Sequence, residues 1–235
     1  LLCFSTLDMM FMASGQDLVT IYVGLELMAL SVYVLVGFVK ENRRSNEAAM
    51  KYFVLGALSS AFFIYGISLF YGISGKTSLV AIRETLFAHL GNPMAALGLI
   101  FITVGLGFKV AAVPFHAWAP DAYEGAPTPI TAYISVASKG AAFAILLRIL
   151  LVGLYDLRAD WSIVLWVLAA ATMTFGNVVA VVQDNVKRML AYSSIAHAGY
   201  VLVGVLAAGA TVPASLAASM SASEQSEWAA DLQRW

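Results

Sequence analysis

Residues 94–115 read MAALGLIFITVGLGFKVAAVPF, an apolar stretch that contains a single charge, that of Lys109. A helix of about 20 apolar residues crosses the hydrocarbon core of a bilayer, which is about 30 Å thick. Gly105, Gly107 and Pro114 flank the lysine. Residues of these types interrupt membrane helices where protein or a hydrated cavity satisfies the freed backbone groups. The stretch therefore predicts a membrane-spanning helix that is broken close to an intramembrane charge.

Five further stretches have a similar length and character, and one shorter apolar stretch precedes them. The five lie at 18–38, 52–73, 130–153, 161–182 and 189–212, and the shorter one lies at 1–14. The whole chain is 61% hydrophobic and 11% charged, whereas a soluble domain carries about 25% charged residues. The sequence predicts an all-α polytopic membrane protein, with residues 1–212 forming one partial helical bundle.

The composition also argues against several classes of function. The net charge of −1 and the lack of a basic run exclude a nucleic-acid partner. One cysteine, Cys3, cannot form a disulfide framework or ligate an iron–sulfur cluster. His89, His116 and His197 are far apart in the sequence and show no metal-ligand spacing. We therefore expect neither a metal nor a redox cofactor in this chain.

The connections between the spans carry an uneven charge. They alternate between the two sides of the membrane, and one side receives six Lys and Arg residues against four on the other. The positive-inside rule assigns the richer side to the cytoplasm. The six residues are Lys40, Arg43, Arg44, Lys51, Lys187 and Arg188, and the four are Lys76, Arg83, Arg158 and Arg234.

The two ends of the chain differ from its centre. The chain opens with Leu1 and has no basic segment before its first apolar stretch, so we expect a fragment without a signal peptide that begins inside a helix. Residues 213–235 are polar and too short of apolar residues to span a membrane. They are predicted to be an atypical tail, either a short interfacial helix or a truncated or frame-altered end.

Four ionisable residues lie well inside apolar stretches: Glu26, Lys109, Lys139 and His197. A charge at the bilayer centre costs about 2.5–3.5 kcal/mol on insertion scales, so such residues usually face a protein interior or a hydrated cavity. Burial favours the neutral form of a lysine or glutamate and pairing favours the charged form. A side chain balanced between the two can exchange a proton near neutral pH, which makes these four residues candidates for a proton pathway.

Glu26 and Lys109 each have a structural and a functional interpretation. Tyr22 and Tyr33 share a helix face with Glu26, giving a polar stripe. The structural alternative for Glu26 is an ion pair that only fixes helix packing. For Lys109 the alternative is a lysine at a proline kink whose amine snorkels to the nearer interface.

Lys139 lies deepest in its span and is the strongest single candidate. Ser135 lies one turn earlier on the same predicted face. His197 shares a predicted face with Ser193 and Tyr200, and its ordinary titration range suits a proton relay. The structural alternatives are a lysine that pairs only for packing and a histidine that is only a packing residue.

One pentapeptide occurs twice. Residues 33–37 read YVLVG, and residues 200–204 read the same. The two copies lie on spans separated by an odd number of crossings, so these spans run in opposite directions. Inverted repeats of transporters have this property.

Six stretches together resemble the antiporter-like, proton-pumping membrane subunits of respiratory complex I, NADH-quinone oxidoreductase, most closely those of subunit N type. The stretches occur in family order within residues 1–208. They are GLELM at 24–28, KYFVLGA at 51–57, FKVAAVPFHAW at 108–118, PDAYEGAPTP at 120–129, SK at 138–139 and KRMLAYSSIAH at 187–197.

The resemblance implies a larger fold with two inverted repeats, each containing a broken helix, of which this sequence covers a part. It implies that Glu26, Lys109 and Lys139 form a protonatable axis in a bacterial inner (plasma) membrane. The implied partners are other membrane subunits of complex I and the lipid bilayer. NADH, FMN, iron–sulfur clusters and quinone would belong to partner subunits.

Two other functions share parts of this pattern. Mrp-type cation/proton antiporters and membrane-bound hydrogenases use a similar arrangement of lysine and glutamate. A membrane scaffold that transports nothing could also use buried charges, solely to specify helix packing.

Overall fold

The computed structural model describes residues 1–87 and 91–210. These residues form helices and connections, with one isolated bridge between Asp17 and Ser78, so the predicted all-α class is confirmed. The helices are α1 (Leu2–Ser14), α2 (Leu18–Val36), α3 (Arg43–Ser74), α4 (Leu79–Leu86), α5 (Pro93–Val110), α6 (Trp118–Gly125), α7 (Thr128–Tyr133), α8 (Lys139–Arg148), α9 (Arg158–Val181) and α10 (Val186–Ala210).

Shorter helical turns join some of these helices. A π-helical turn at Ile134–Ser138 joins α7 to α8, and a second one at Ile149–Gly153 extends α8. A 3-10 turn at Tyr155–Leu157 leads into α9. The stretch Thr128–Gly153 is therefore one continuous helical span.

Six helical segments of the described residues are long and apolar enough to cross a membrane, which confirms the six predicted spans. Two bounds differ clearly from the prediction. The helix α3 begins at Arg43 because the Asn42 side chain caps it, accepting a hydrogen bond of 3.0 Å from the Arg44 N–H. The span predicted at 94–115 stays helical only to Val110. The predicted tail at 213–235 and the end of the last predicted span lie outside the described residues.

The connections alternate between two faces, as the sequence predicts. The Arg188 side chain at the start of α10 contacts Asp121 of α6, and Asp121 also contacts Lys51 of α3. We call this end of the bundle, with its side chains Arg44, Lys51, Asp121, Glu124 and Arg188, the charged face. At the opposite face Arg83 forms an ion pair of 3.4 Å with Asp156.

The helices that carry the repeated pentapeptide run in opposite directions. The helix α2 ends at the charged face, where the Ser45 hydroxyl donates a hydrogen bond of 2.7 Å to the Val36 carbonyl. The helix α10 begins at the same face. This antiparallel arrangement agrees with the inverted repeat predicted from the sequence.

Small residues allow the helices to approach closely. A Cβ atom at Gly66 would lie 2.9 Å from the Ile102 backbone nitrogen, and one at Gly176 would lie 2.7 Å from that of Ala196. Both distances are shorter than side chains tolerate, so α3 packs on α5 and α9 packs on α10 only because these positions lack side chains.

Candidate functional site

The predicted break in the helix is present and is closed by protein groups. The helix α5 ends where Ala111 adopts a left-handed conformation, with φ 60° and ψ 41°, and α6 begins at Trp118. The Trp118 indole N–H donates a hydrogen bond of 2.7 Å to the Phe108 carbonyl. The Val113 N–H donates one of 2.9 Å to the Thr172 hydroxyl on α9. The break thus satisfies two of its freed backbone groups without water.

Lys109 lies in the last turn of α5, directly before the break. Its side chain is buried, with the residue 3% exposed, so the amine does not snorkel to an interface. Within residues 1–87 and 91–210 the Nζ atom has no hydrogen-bond partner, and it lies 5.8 Å from the centroid of the Tyr33 ring on α2. An aromatic face attracts a cation at this distance. The lysine is therefore held in an apolar setting by long-range electrostatics.

Glu26 provides the negative charge of this region. It is half-buried on α2, and the Ser60 hydroxyl on α3 donates a hydrogen bond to its Oε1 atom. The Glu26 carboxylate interacts electrostatically with Tyr33 and with Lys109, but no hydrogen bond joins it to Lys109. The structure thus brings Glu26 and Lys109 into one region without forming a direct ion pair.

Lys139 lies at the start of α8, directly after a π-helical turn. The residue is 6% exposed, and its Nζ atom donates hydrogen bonds of 2.7 Å to the Ser194 hydroxyl and 3.1 Å to the Ser194 carbonyl on α10. The amine also lies 5.6 Å from the centroid of the Tyr123 ring on α6. Ser135, which the sequence predicts on the same face, donates its hydroxyl to the Ala132 carbonyl of its own helix.

A row of aromatic rings connects the two lysines. The Tyr33 ring meets the Tyr52 ring edge to face with centroids 4.7 Å apart, and Tyr52 stacks on Trp118 at 4.3 Å. Trp118 then contacts Tyr123, whose ring centroid is 6.3 Å away. The Tyr33 hydroxyl is buried and has no hydrogen-bond partner among the described residues, whereas the Tyr123 hydroxyl lies close to the Ser194 side chain. The row begins beside Lys109 and ends beside Lys139.

The histidines lie apart from this row. His197 is exposed on α10, where its Nδ1 atom lies 2.8 Å from the Ser193 carbonyl oxygen and its ring centroid lies 5.6 Å from that of Tyr200. His116 lies in the break, with its ring 4.7 Å from that of Phe175. His89 lies outside the described residues. The structure brings Glu26 and Lys109 together and links them to Lys139, but it places none of the described histidines in that group.

The sequence interpretation missed the partners of the charged residues. The sequence does not identify Ser60 as a partner of Glu26, or Tyr123 and Ser194 as neighbours of Lys139. Ser60 is one of several small residues in its span, and Ser194 lies three positions before His197. A single hydroxyl on an apolar helix was the only available signal, and it cannot indicate which helix the side chain faces.

The charged face closes the end of the broken helix. Arg188 Nη1 donates hydrogen bonds of 2.7 Å to Asp121 and 2.9 Å to Glu124. Lys51 Nζ donates one of 3.0 Å to Asp121. Burial raises the pKa of Asp121, but the hydrogen bonds from Arg188 and Lys51 lower it more, so this pKa lies below its ordinary range. Asp121 is therefore charged near neutral pH.

In the two stretches that the structure describes, no group of three or more His, Cys, Asp or Glu side chains is placed to hold a metal ion. The geometry instead shows buried amines near hydroxyl and aromatic groups. Such an arrangement can hold and release protons, because small changes around a buried charge alter its proton affinity.

The profile of one known family, described as NADH:quinone oxidoreductase/Mrp antiporter, transmembrane, matches residues 15–222. The chain belongs to this family. It is 56% identical over 211 residues to NADH-quinone oxidoreductase subunit N 1 of Koribacter versatilis (strain Ellin345), covering 88% of this chain and 41% of that protein. The chain thus spans less than half the length of this relative.

Two solved structures resemble the fold. A chain of respiratory complex I from Thermus thermophilus with bound aureothin superposes with a TM-score of 0.74 and 40% identity, covering 86% of this chain and 43% of that one. A chain of the Mrp complex from Dietzia sp. DQ12-45-1b superposes with a TM-score of 0.79 and 25% identity, covering 86% of this chain and 38% of that one.

These findings confirm the resemblance to subunit N and the antiporter-like fold. Membership of the NADH:quinone oxidoreductase/Mrp antiporter family, six apolar helices and bacterial relatives together indicate a multi-pass protein of the bacterial inner membrane.

Proposed function

We propose that the chain is part of a proton-translocating membrane subunit of an NADH:quinone oxidoreductase. Quinone reduction elsewhere in the complex would drive proton transfer through Glu26, Lys109 and Lys139. His197 stays a prediction from the sequence, because its exposed ring lies apart from these three residues. The partners are other membrane subunits of the complex and the bilayer. NADH, FMN, iron–sulfur clusters and quinone belong to partner subunits, and this chain contributes proton transfer.

One observation supports this proposal above the others. Lys109 and Lys139 are both buried inside spans, yet neither amine hydrogen-bonds to a carboxylate of the described residues. A lysine that only fixes packing would be expected to pair with a buried acid, because an unpaired buried charge is costly. Two amines that lack such a partner are suited to alternate between the charged and the neutral form. The charge of Glu26, near Lys109, can bias that change.

The direct test replaces Lys139 by alanine in the full-length subunit of the assembled complex. We expect Lys139→Ala to abolish most proton pumping, measured by dye quenching in membrane vesicles, while the complex still assembles. Lys76→Ala is a matched control, because Lys76 is an exposed lysine at the opposite face, and it should pump normally. Normal pumping by Lys139→Ala would favour a scaffold, and failed assembly would assign the residue a structural role.

A cation/proton antiporter of Mrp type is a second candidate, favoured by the TM-score of 0.79 to the Dietzia chain. The higher identity of 56% to a subunit N argues for the oxidoreductase. The two functions differ in their energy source. Proton movement that requires NADH oxidation supports the oxidoreductase, whereas proton movement driven by a sodium gradient without NADH supports the antiporter.

A further inference from the structure

The half-helix α6 has two different sides. Trp118 and Tyr123 are 1% and 2% exposed and point into the bundle, where they belong to the aromatic row. Asp121 and Glu124 lie on the outer side and form part of the charged face. Any displacement of α6 therefore moves two side chains at the same time. These are Tyr123, whose ring faces Lys139, and Trp118, whose indole N–H bonds to the end of α5.

Two neighbouring helices hold the outer side of α6 through charges. A single nitrogen of Arg188 on α10 contacts both acids of α6, and Lys51 on α3 contacts Asp121. The Asn185 side chain adds a hydrogen bond of 3.1 Å to Glu124. An isolated surface ion pair contributes little, but a network of shared charges contributes more. These contacts tie α6 to helices on both sides of it.

We propose that Lys51, Asp121, Glu124 and Arg188 form a positioning latch for the half-helix α6. The latch fixes where Tyr123 lies relative to Lys139 and where Trp118 lies relative to Phe108. None of its four residues takes part in proton transfer itself. The proposal rests on the proposed function in one respect, that a displaced α6 impairs proton transfer at Lys139.

The latch is tested by hydrogen exchange in the assembled complex that contains the full-length subunit. We expect Asp121→Asn and Arg188→Gln each to accelerate amide exchange in peptides covering 118–125 by about threefold to tenfold, because a shared network is lost. Proton pumping should fall by a similar factor in vesicles. The double variant should be less impaired than the product of the two single effects, since both variants remove the contact between Arg188 and Asp121, while each also removes a contact of its own, to Lys51 or to Glu124.

Two further variants separate the latch from a general loss of charge. Glu47 belongs to the same cluster but forms an ion pair of 2.9 Å with Lys51 of its own helix, so Glu47→Gln should leave exchange in α6 unchanged. Arg188→Lys should show much slower amide exchange in α6 than Arg188→Gln, because a single nitrogen makes both contacts to α6.

Two results would overturn the latch: unchanged exchange in Asp121→Asn, or equally accelerated exchange in Glu47→Gln. Lys139→Ala is measured in parallel. If that variant pumps normally, the proposed function fails, while the exchange data still decide the latch, because they do not depend on pumping.

Discussion

Lys109 and Lys139 are buried to a similar degree, yet the protein surrounds them differently. Lys109 has no hydrogen-bond partner and is influenced by the Tyr33 ring and by the charge of Glu26. The Lys139 amine donates hydrogen bonds to two neutral oxygens of Ser194 and faces the Tyr123 ring. The Lys109 amine is therefore influenced by a charge without contacting it, whereas the Lys139 amine is stabilised by direct hydrogen bonds to the hydroxyl and carbonyl of Ser194 on α10.

The largest effect is expected from the charge that acts on Lys109. Glu26→Gln removes the negative charge of that region while keeping a side chain that accepts a hydrogen bond from Ser60. We expect proton pumping to fall by about tenfold or more, since the buried Lys109 amine loses the negative charge that acts on it. Dye quenching and NADH oxidation in vesicles measure the effect.

Glu26→Asp is the matched control for this experiment, because it keeps the charge and shortens the side chain. It should retain more activity than Glu26→Gln. Equal losses in both variants would indicate that Glu26 acts through packing and would remove the difference between the two lysine regions.

The second-largest effect should come from Trp118, which lies at the helix break and in the aromatic row between the two lysines. Trp118→Phe removes the indole N–H, and the Phe108 carbonyl at the break keeps only its hydrogen bond of 3.1 Å from the Ala111 N–H. One hydrogen bond inside a protein contributes about 0.5–1.5 kcal/mol, so the assembled complex should unfold at a slightly lower temperature. Unchanged thermal stability would show that the break is closed by other groups.

A smaller effect should distinguish Lys139 from Lys109. Ser194→Ala removes the hydroxyl acceptor of Lys139 but leaves the carbonyl acceptor. Hydrogen bonds to charged groups contribute about 1.5–3 kcal/mol, and we expect pumping to fall by about threefold to tenfold because one of the two remains. Ser193→Ala is the matched control on the same helix and should pump normally. Equal losses in the two variants would contradict a specific role for Ser194.

The smallest effect should come from the buried Tyr33 hydroxyl. Tyr33→Phe keeps the ring that faces Lys109 and removes a hydroxyl that has no hydrogen-bond partner among the described residues. Removing an unsatisfied buried polar group is close to neutral for stability. The free energy of unfolding should therefore change by less than about 1 kcal/mol. A larger loss would show that the Tyr33 hydroxyl has a partner, such as a bound water.

The fold class, the six spans and the position of the helix break can be predicted from the amino-acid sequence alone. It also placed Lys109 and Lys139 inside the membrane. These features are local, because the length of an apolar stretch, the glycines before Lys109 and the proline after it act on their own segment of chain. A buried lysine is visible in a sequence wherever its neighbours along the chain are apolar.

The contacts between side chains of different helices depend on the packed fold and are not readable in the sequence. Ser194 contacts Lys139 across 55 residues of chain, and Tyr33 meets Lys109 from another helix. The Ser135 hydroxyl bonds within its own helix, so the acceptors of Lys139 come from α10 alone among the described residues. Such contacts depend on how far each helix is rotated and where it crosses its neighbours. Close packing of small and large side chains from several helices fixes both properties, which no single segment of the sequence encodes.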